Sequence, residues 1–419
     1  MKLQGGTLVY ALAISLIIGM ITASVLLNAH CNRMLMLLDV IREEAARNAH
    51  SGIQYLCVRN DANNYEEDVD LFARQKDSVL VSSRPWGVYD ILTANAHTGR
   101  ETFQRIALAG ALHDSAQRYA LWLGDMDREL KVCGHTELRG KCFLPKAGVE
   151  RAYIEGKSYS GRQLVYGPVE TSARFIPEYN RERYALMEQL LNEPFREGDS
   201  LISWNELQLE DSVYCTFSGP TCVVKENAVI EISNIVIEGQ IIIQSSVSIK
   251  VTRSAVLLNV ILVAPEVTID EKTTGQFQVI ARDSISVGKD VVLNFPSSLC
   301  LCSEKTTLKQ TGIIISEGCT ISGDVLAIAA DNDILRRTQI TVNKDCRIAG
   351  AVYTNGALDL KGTVAGSVTC QKLVLTTNSA TYENTLLDAV IDITQLPAAV
   401  PGGIGMGNSK RKEVIQWLD

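Results

Sequence analysis

Histidines and cysteines are the residues that most often build metal or hydrolytic sites, and here their spacing favours neither. No pair of histidines has the His-x-x-x-His or His-x-His spacing of a zinc enzyme; the five are His30, His50, His97, His113 and His135. Cys133, His135 and Cys142 could supply three metal ligands, but a fourth is not evident. The sequence contains no Gly-x-Ser-x-Gly elbow and no Walker loop. We therefore predict no metal site and no cofactor.

Aspartates are the remaining candidates for chemistry, because two carboxyl groups about 5 to 10 Å apart can hydrolyse a glycosidic bond. Six candidates lie in the β-rich part of the chain: Asp270, Asp283, Asp290, Asp331, Asp333 and Asp345. Most occur in turn-like segments such as Gly288-Lys-Asp, where local hydrogen bonds account for an aspartate. We predict a chain that is not an enzyme and has no catalytic residue, with a carbohydrate-active protein as an alternative.

The 11 cysteines include three pairs that are close in sequence. Cys133 and Cys142 flank a short polar segment that a disulfide could close, and Cys215 with Cys222 is a second candidate pair. Cys300 and Cys302 are separated by one residue, so we expect them on the same face of a strand and not bonded to each other. An odd number of cysteines leaves at least one thiol free unless one bonds to another chain.

Composition limits the classes of partner. An apolar content of 46% is that of a globular chain and excludes wholesale disorder. The net charge of -8 and a pI near 5.4 argue against binding to nucleic acid, which needs a basic face. The only compact basic cluster is Lys410, Arg411 and Lys412. A length of 419 residues suggests two or three domains.

The N-terminal segment predicts a membrane helix. Thr7 to Leu27 has no charged residue, and as a helix its 21 residues would span about 31 Å, close to the thickness of the bilayer core. The residues that follow match a signal-peptidase site poorly, so we expect a retained anchor. Apolar residues continue at spacings of three and four from Met34 to Leu56, which predicts one long helix with an amphipathic second half, domain 1–60. The charges around it do not favour an exported body.

The segments GGTLVYALAISLIIGMITASVLL and AARNAHSGIQYL resemble the N-terminus of type IV pilin-like minor subunits. The resemblance implies a leader cut between Gly6 and Thr7, and a helix that contacts the bilayer and other pilin-like subunits. It also implies a single-pass inner-membrane protein whose body lies in the periplasm or outside. Ala11 stands where major pilins carry glutamate, which resembles K-type minor pseudopilins; a signal anchor that is never processed is the alternative.

The rest of the chain is predicted to be mainly β. Residues 61–127 suggest a small α+β unit, and residues 128–395 show short Val- and Ile-rich strands between Gly, Asn and Asp turns. Runs such as Ile241-Ile-Ile and Val291-Val-Leu look buried on both sides, which favours a parallel β-solenoid over a β-sandwich. Near the end the pattern tightens to a six-residue spacing of Gly350, Gly356 and Gly362. A helix from Glu178 to Glu193 would interrupt the solenoid and cap its first coils.

The C-terminal residues 396–419 read as a flexible glycine-rich linker followed by a short amphipathic piece, in which Trp417 either docks on the body or contacts a partner. The stretch RIAGAVYTNGALDLKGTVAGSVTC resembles bactofilins, polymer-forming β-helix proteins of the bacterial cytoplasm. Together these features predict a non-catalytic, membrane-anchored structural protein of the bacterial envelope, a minor subunit or accessory of a pilus- or pseudopilus-like apparatus. The alternative from the second resemblance is a cytoplasmic polymerising scaffold.

Overall fold

A computed structural model describes residues 6–59, 65–71, 77–99, 101–112, 118–303, 311–330, 338–406 and 411–418. The chain forms two compact units. The first unit contains residues 1–55, 66–82 and 93–105, and the second contains 56–65, 83–92 and 106–419. Of the residues considered above for chemistry, His113, Asp331 and Asp333 lie outside the described part of the chain, as do Lys410 and Asp419 at the ends of the predicted amphipathic piece.

A single long helix, α1, runs from Gly6 to Val58 and confirms the predicted N-terminal helix. Its first half has no charge and no proline, so nothing interrupts the helical hydrogen bonds. Its second half is amphipathic, because Ala45, Ala49 and Ile53 recur every four residues and are fully buried. The same apolar stripe continues to Leu56 at the end of the helix.

The strands that follow α1 form a small sheet in which each strand lies beside the next. They are β1 (Tyr65–Val69), β2 (Asp77–Trp86), β3 (Tyr89–Thr98) and β4 (Glu101–Leu112). Within the first unit, α1 packs closely on this sheet at Gly52. A Cβ atom at that position would lie 2.8 Å from Val79 and 2.9 Å from Ala94, so only glycine allows this approach.

The second unit consists mainly of short strands that stack coil on coil. The first group is β5 (Leu121–Leu123), β6 (Leu130–Cys133), β7 (Glu137–Arg139), β8 (Cys142–Leu144), β9 (Val149–Arg151), β10 (Tyr153–Ile154), β11 (Lys157–Ser158) and β12 (Val169–Thr171). Two helices, α2 (Arg181–Asn192) and α3 (Trp204–Leu207), lie on either side of β13 (Ser200–Ile202).

The main run of coils follows α3. Its strands are β14 (Ser212–Cys215), β15 (Cys222–Glu226), β16 (Ile230–Ile232), β17 (Val236–Gly239), β18 (Ile241–Ser245), β19 (Ser248–Val251), β20 (Val256–Ile269), β21 (Thr274–Val287), β22 (Val292–Ser303), β23 (Gly312–Ile315), β24 (Thr320–Ala329), β25 (Gln339–Val342), β26 (Arg347–Leu360) and β27 (Thr363–Thr376). The chain ends with β28 (Thr381–Glu383), β29 (Thr385–Leu387), β30 (Val390–Asp392), a 3-10 turn (Ile393–Gln395) and β31 (Arg411–Trp417).

These strands form a parallel β-solenoid, which confirms the predicted fold class. Each coil passes in turn through three parallel sheets that we call I, II and III. Sheet I contains 230–232, 249–251, 267–269, 285–287 and 313–315; sheet II contains 241–245, 261–264, 278–281 and 298–303; sheet III contains 236–239, 256–258, 274–276 and 292–293. The side chains that point inward from all three sheets form one continuous apolar core. Because every coil is paired with the next, most backbone hydrogen bonds are made between neighbours in the stack.

The coils do not stack in the order of the sequence. The main run ends at β27, and β27 pairs in parallel with β5, about 240 residues earlier in the chain. The stack then continues outward from β5 to β8 and from β8 to β12. In sheet III, β30 lies between β27 and β7. The segment 121–171 therefore forms the last coils of the solenoid, stacked next to residues 363–392, as in a circularly permuted chain. Its first strand begins before the expected boundary at residue 128.

A second apolar core lies on the outer face of sheet II. Helix α2 packs across β20, β21 and β22, and its buried residues Met187, Leu190 and Leu191 face outward-pointing residues of those strands. The helix was expected at Glu178 to Glu193 and is present, but it covers the side of the solenoid and not an end. The end is closed by α3, because Trp204 and Leu207 join the interior core beneath the first coil.

The predicted flexible tail is corrected by the structure. Residues 401–406 are held by backbone hydrogen bonds, in which the Gly402 amide donates to the carbonyl of Ala111 and the Ile404 amide donates to the carbonyl of Val88. The following β31 pairs antiparallel with residues 107–112 of β4 and contains Trp417. The glycine-rich residues 401–406 are therefore held in place by hydrogen bonds. Residues 407–410 lie outside the described part of the chain.

Candidate functional site

The apolar surface of α1 is the largest functional feature of the first unit. Large hydrophobic side chains are exposed along it at Leu8, Val9, Tyr10, Leu12, Ile14, Leu16, Ile17, Ile18, Met20, Ile21, Val25, Leu26, Leu27, Met34, Leu35, Met36, Leu37 and Val40. None of its most apolar stretch is buried, and the helix is long and apolar enough to cross a membrane, as an anchor or a signal sequence does.

Two hydroxyl groups within this stretch are hydrogen-bonded inside the helix. The hydroxyl of Ser15 donates to the carbonyl of Ala11 at 2.9 Å, and the hydroxyl of Thr22 donates to the carbonyl of Ile18 at 2.9 Å. Such internal bonds lower the cost of placing a hydroxyl in hydrocarbon. These two residues are therefore compatible with a lipid environment.

The residues of the possible leader site lie at the very start of α1. Gly6 and Thr7 are the first two residues of the helix and both are exposed. A Cβ atom at Gly6 would meet no other atom within 4 Å, so folding places no demand for glycine at this position. A requirement for glycine there would therefore come from a processing enzyme and not from the fold.

The second half of α1 is fixed to the sheet of the first unit by polar contacts as well as by its buried stripe. Arg42 Nε donates to Glu101 Oε2 at 3.1 Å, and buried Asn48 Nδ2 donates to Thr98 Oγ1 at 3.3 Å. The helix thus has one half that is packed on its own unit and another half that has no protein covering.

One of the two candidate cysteine pairs forms a disulfide and the other does not. Cys215 and Cys222 are joined by a disulfide, which closes the turn between β14 and β15. Cys133 and Cys142 are separate free thiols, because β6 belongs to one side of the coil and β8 to sheet II. Burial raises the pKa of Cys142 to about 12, so this thiol is protonated and unreactive at neutral pH.

Three of the aspartates considered for glycoside hydrolysis, Asp270, Asp290 and Asp345, lie in turns or in a surface ion pair. Asp290 and Asp345 each occupy a left-handed turn position, with φ of 56° and 58°, at the outer corners of different coils. Asp270 lies 3.4 Å from Lys250 in an exposed ion pair. These positions are explained by turn geometry and surface charge pairing.

The second unit contains a cleft that the sequence did not reveal. It has a volume of about 370 Å³ and lies where the segment 121–144, the main coils and the C-terminal segment 393–406 come together. Trp122 and Phe143 stack with ring centroids 3.9 Å apart, and Tyr119 meets both rings edge-on. These aromatic residues lie in neighbouring coils because β5 pairs with β27 and β8 pairs with β5.

The polar groups around this cleft are mostly engaged. Arg118 Nη2 donates to the carbonyl of Leu396 at 2.6 Å, and Lys141 pairs with Glu170 at 2.9 Å. Asp324 accepts from the Ala351 amide at 2.8 Å. The Nε1 of Trp122, by contrast, has no hydrogen-bond partner among the described residues.

Two tyrosine hydroxyls beside the cleft are uncharged. Burial raises the pKa of the hydroxyls of Tyr119 and Tyr353, so both stay protonated at neutral pH. The cleft is suited to holding an apolar or aromatic group.

Comparisons with known proteins place the chain in no family. No family profile matches it, and no curated protein matches it. Among solved structures it is similar to the competence-associated pilin ComZ from Thermus thermophilus, with 10% sequence identity over 89% of this chain and 96% of that chain. The TM-score of this match is 0.17, which does not establish a common fold.

Proposed function

We propose that this chain is a non-catalytic, membrane-anchored structural protein of the bacterial envelope, acting as a minor subunit or accessory of a pilus-like assembly. The observation that carries the proposal is the division of α1 into an uncovered apolar half and a half packed on a small sheet. An apolar helix surface of this length needs either lipid or other apolar helices around it. A membrane provides the first environment, and the bundle of helices in a pilus-like filament provides the second.

The solenoid supports the structural part of the proposal. Its stacked coils bury a continuous core and pair their strands throughout, which makes a stiff body. A stiff body on a membrane helix is suited to presenting a surface or spacing other subunits. Asp290 and Asp345 lie in turns and Asp270 lies in a surface ion pair, and these positions support a non-catalytic role.

The processing of the N-terminus tests the pilin-like part of the proposal. We expect the chain purified from a bacterium with a prepilin peptidase to have an intact mass that begins at Thr7. Replacing Gly6 by leucine should leave the N-terminus uncut, because the family resemblance puts the cut after this glycine. The matched control is Gly19→Ala, since Gly19 is another exposed glycine of α1 with no atom near its missing Cβ.

The outcomes separate the proposals. A mass that begins at Thr7 in the wild-type and Gly19→Ala chains, but not in Gly6→Leu, supports the pilin-like subunit. An uncut chain that stays in the membrane after an alkaline wash leaves a signal-anchored envelope protein and contradicts the pilin-like role. A chain that is soluble after gentle lysis contradicts the whole proposal and favours the cytoplasmic scaffold.

A further inference from the structure

Three sulfur atoms meet beneath helix α2, in the core on the outer face of sheet II. The Sγ of Cys300 lies 3.4 Å from the Sδ of Met187 and 3.7 Å from the Sγ of Cys302. Cys300 and Met187 have 0% exposure and Cys302 has 1%. The three sulfur-containing side chains are therefore shielded from solvent and surrounded by protein atoms.

Two rigid elements bring these sulfurs together. Cys300 and Cys302 alternate with the interior residues Leu299 and Leu301 on β22, so both thiols point outward from sheet II. Met187 points down from α2 onto the same face. The helix is fixed there because the side-chain amide of Gln244 in sheet II donates to the carbonyl of Leu191 at 3.0 Å.

The set of donors is chemically selective. It contains two thiols and one thioether, which are soft ligands that favour Cu(I) over hard cations. Among the described residues, no group of three or more His, Cys, Asp or Glu is placed to hold a metal, so no harder set competes in that part of the chain. A metal ion about 2.3 Å from each of three sulfurs in a plane requires them to be about 4 Å apart, which is roughly 0.6 Å more than the Cys300–Met187 separation and roughly 0.3 Å more than the Cys300–Cys302 separation.

We propose that Cys300, Cys302 and Met187 bind one Cu(I) ion in a trigonal, all-sulfur site. Binding forms two copper–thiolate bonds and one copper–thioether bond, and it releases the two thiol protons to solvent. Copper enters and remains as Cu(I), so no oxidant or reductant takes part. The surrounding side chains Ile280, Leu326 and Ile328 exclude water, which protects Cu(I) from exchange and oxidation.

A groove beside α2 offers a route to the site. It has a volume of about 690 Å³ and is lined by Glu178, Tyr179, Glu188 and Ile328, among others. Ile328 is the neighbour of Cys302 in the next coil. Rotation of the flexible Met187 side chain away from the thiols would connect the groove to Cys300 and Cys302.

The test is a Cu(I) titration of the reduced, full-length chain in detergent, without oxygen and in competition with a chromogenic Cu(I) chelator. We expect one tightly held Cu(I) per chain. Cys302→Ala should weaken binding more than about 100-fold, because it removes a direct ligand. Met187→Leu conserves volume and should weaken binding about tenfold while leaving the thermal unfolding midpoint almost unchanged.

Two controls make the test specific. Cys370→Ala removes a buried thiol of the solenoid interior, and Cys319→Ala removes one of the two thiols at a coil corner. Both should bind Cu(I) as the wild type does, and X-ray absorption of the one-to-one complex should show three sulfur neighbours. The proposal is overturned if no Cu(I) is retained against the chelator, if Cys302→Ala binds as well as wild type, or if Cys319→Ala loses the ion.

Discussion

Asp90 shows how single residues hold the second unit together. It is 1% exposed and accepts at 2.7 Å from Arg183 Nη2, while its other oxygen lies 2.7 Å from Lys412 Nζ. Arg183 also donates to the carbonyl of Tyr89 at 3.0 Å. One carboxylate therefore links α2 and the C-terminal strand β31 to the start of β3.

We expect Asp90→Ala to lower the free energy of unfolding by about 3–5 kcal/mol, because it leaves two buried cations without their counter-ion. The measurement is the shift in the midpoint and extrapolated free energy of denaturant unfolding. The control is Glu317→Ala, which breaks an ion pair with Lys289 whose side chains are 61% and 56% exposed. That change should cost less than about 1 kcal/mol. Equal effects of the two variants would contradict this role for Asp90.

Asp388 makes the folding stability depend on pH at the junction between β29 and the segment 121–171. Burial tends to raise its pKa, but hydrogen bonds from Lys157 Nζ at 2.6 Å and from the His135 amide at 2.9 Å outweigh it and lower the pKa below the ordinary 3.8. A lowered carboxyl pKa stabilises the folded state above the unfolded pKa of about 4 and loses that contribution as pH falls through the folded value.

We therefore expect Asp388→Asn to be less stable than the wild type at pH 7, by about 1 kcal/mol, and equally stable at a pH below the folded pKa. Lys157→Gln should give the same loss at pH 7, because it removes the other charge of the pair. Thermal unfolding of the three chains across the acidic range checks this. A difference between wild type and Asp388→Asn that stays constant down to the lowest pH would contradict the assignment.

At the scale of elements, a column of glycines sets how closely the coils stack. Gly323, Gly350 and Gly366 follow one another in successive coils at the corner between sheets III and II. A Cβ atom on Gly366 would collide with the carbonyl oxygen of Gly350, and one on Gly350 would collide with that of Gly323. Because backbone cannot move aside as a flexible side chain can, these positions require glycine.

Gly366→Ala should lower the free energy of unfolding by more than about 2 kcal/mol, since a methyl group forced into a packed stack displaces backbone. The matched control is Gly219→Ala, where the nearest atom to the added Cβ is 3.6 Å away. It should change stability by less than about 0.5 kcal/mol. Denaturant unfolding of both variants measures the difference, and a benign Gly366→Ala would mean that the coils are not stacked in this register.

The apolar half of α1 is expected to contact copies of itself or related helices in the assembly. Cys31 lies just beyond the uncharged stretch and is exposed, whereas the described free cysteines elsewhere in the chain are buried. Mild oxidation of intact membranes should therefore join chains through Cys31 alone. Disulfide-linked species on a non-reducing gel should disappear in Cys31→Ser and persist in Cys57→Ser, whose native thiol is buried. An unlinked wild type would argue against close helix contacts near this residue.

The sequence predicted the elements whose signal is local. The uncharged stretch and the i, i+4 stripe of Ala45, Ala49 and Ile53 define α1, and the Val- and Ile-rich runs define the coils. The separation of Cys133 from Cys142 was not predictable, because it depends on which sheet each strand joins. The ordered tail was missed for a similar reason, since β31 is fixed by its partner β4 and not by its own composition.

At the scale of the whole molecule, the permuted stacking of the second unit is the feature that sequence could not predict. Strand β5 joins β27 through contacts between residues far apart in the chain, such as Leu121 with Val368 and Trp122 with Thr369. No short-range pattern encodes such a pairing. The aromatic cleft depends on the same stacking, and so does the junction at Asp388.

The central claim is that one N-terminal helix anchors a folded, exported body, and protease accessibility in spheroplasts tests it most directly. Protease is added to spheroplasts with intact inner membranes, and the protected fragments are identified by mass. We expect the body to be digested or released while a fragment containing the N-terminal helix survives and a cytoplasmic marker protein stays intact. A body that stays protected until the membrane is permeabilised would contradict export and would favour a scaffold on the cytoplasmic side.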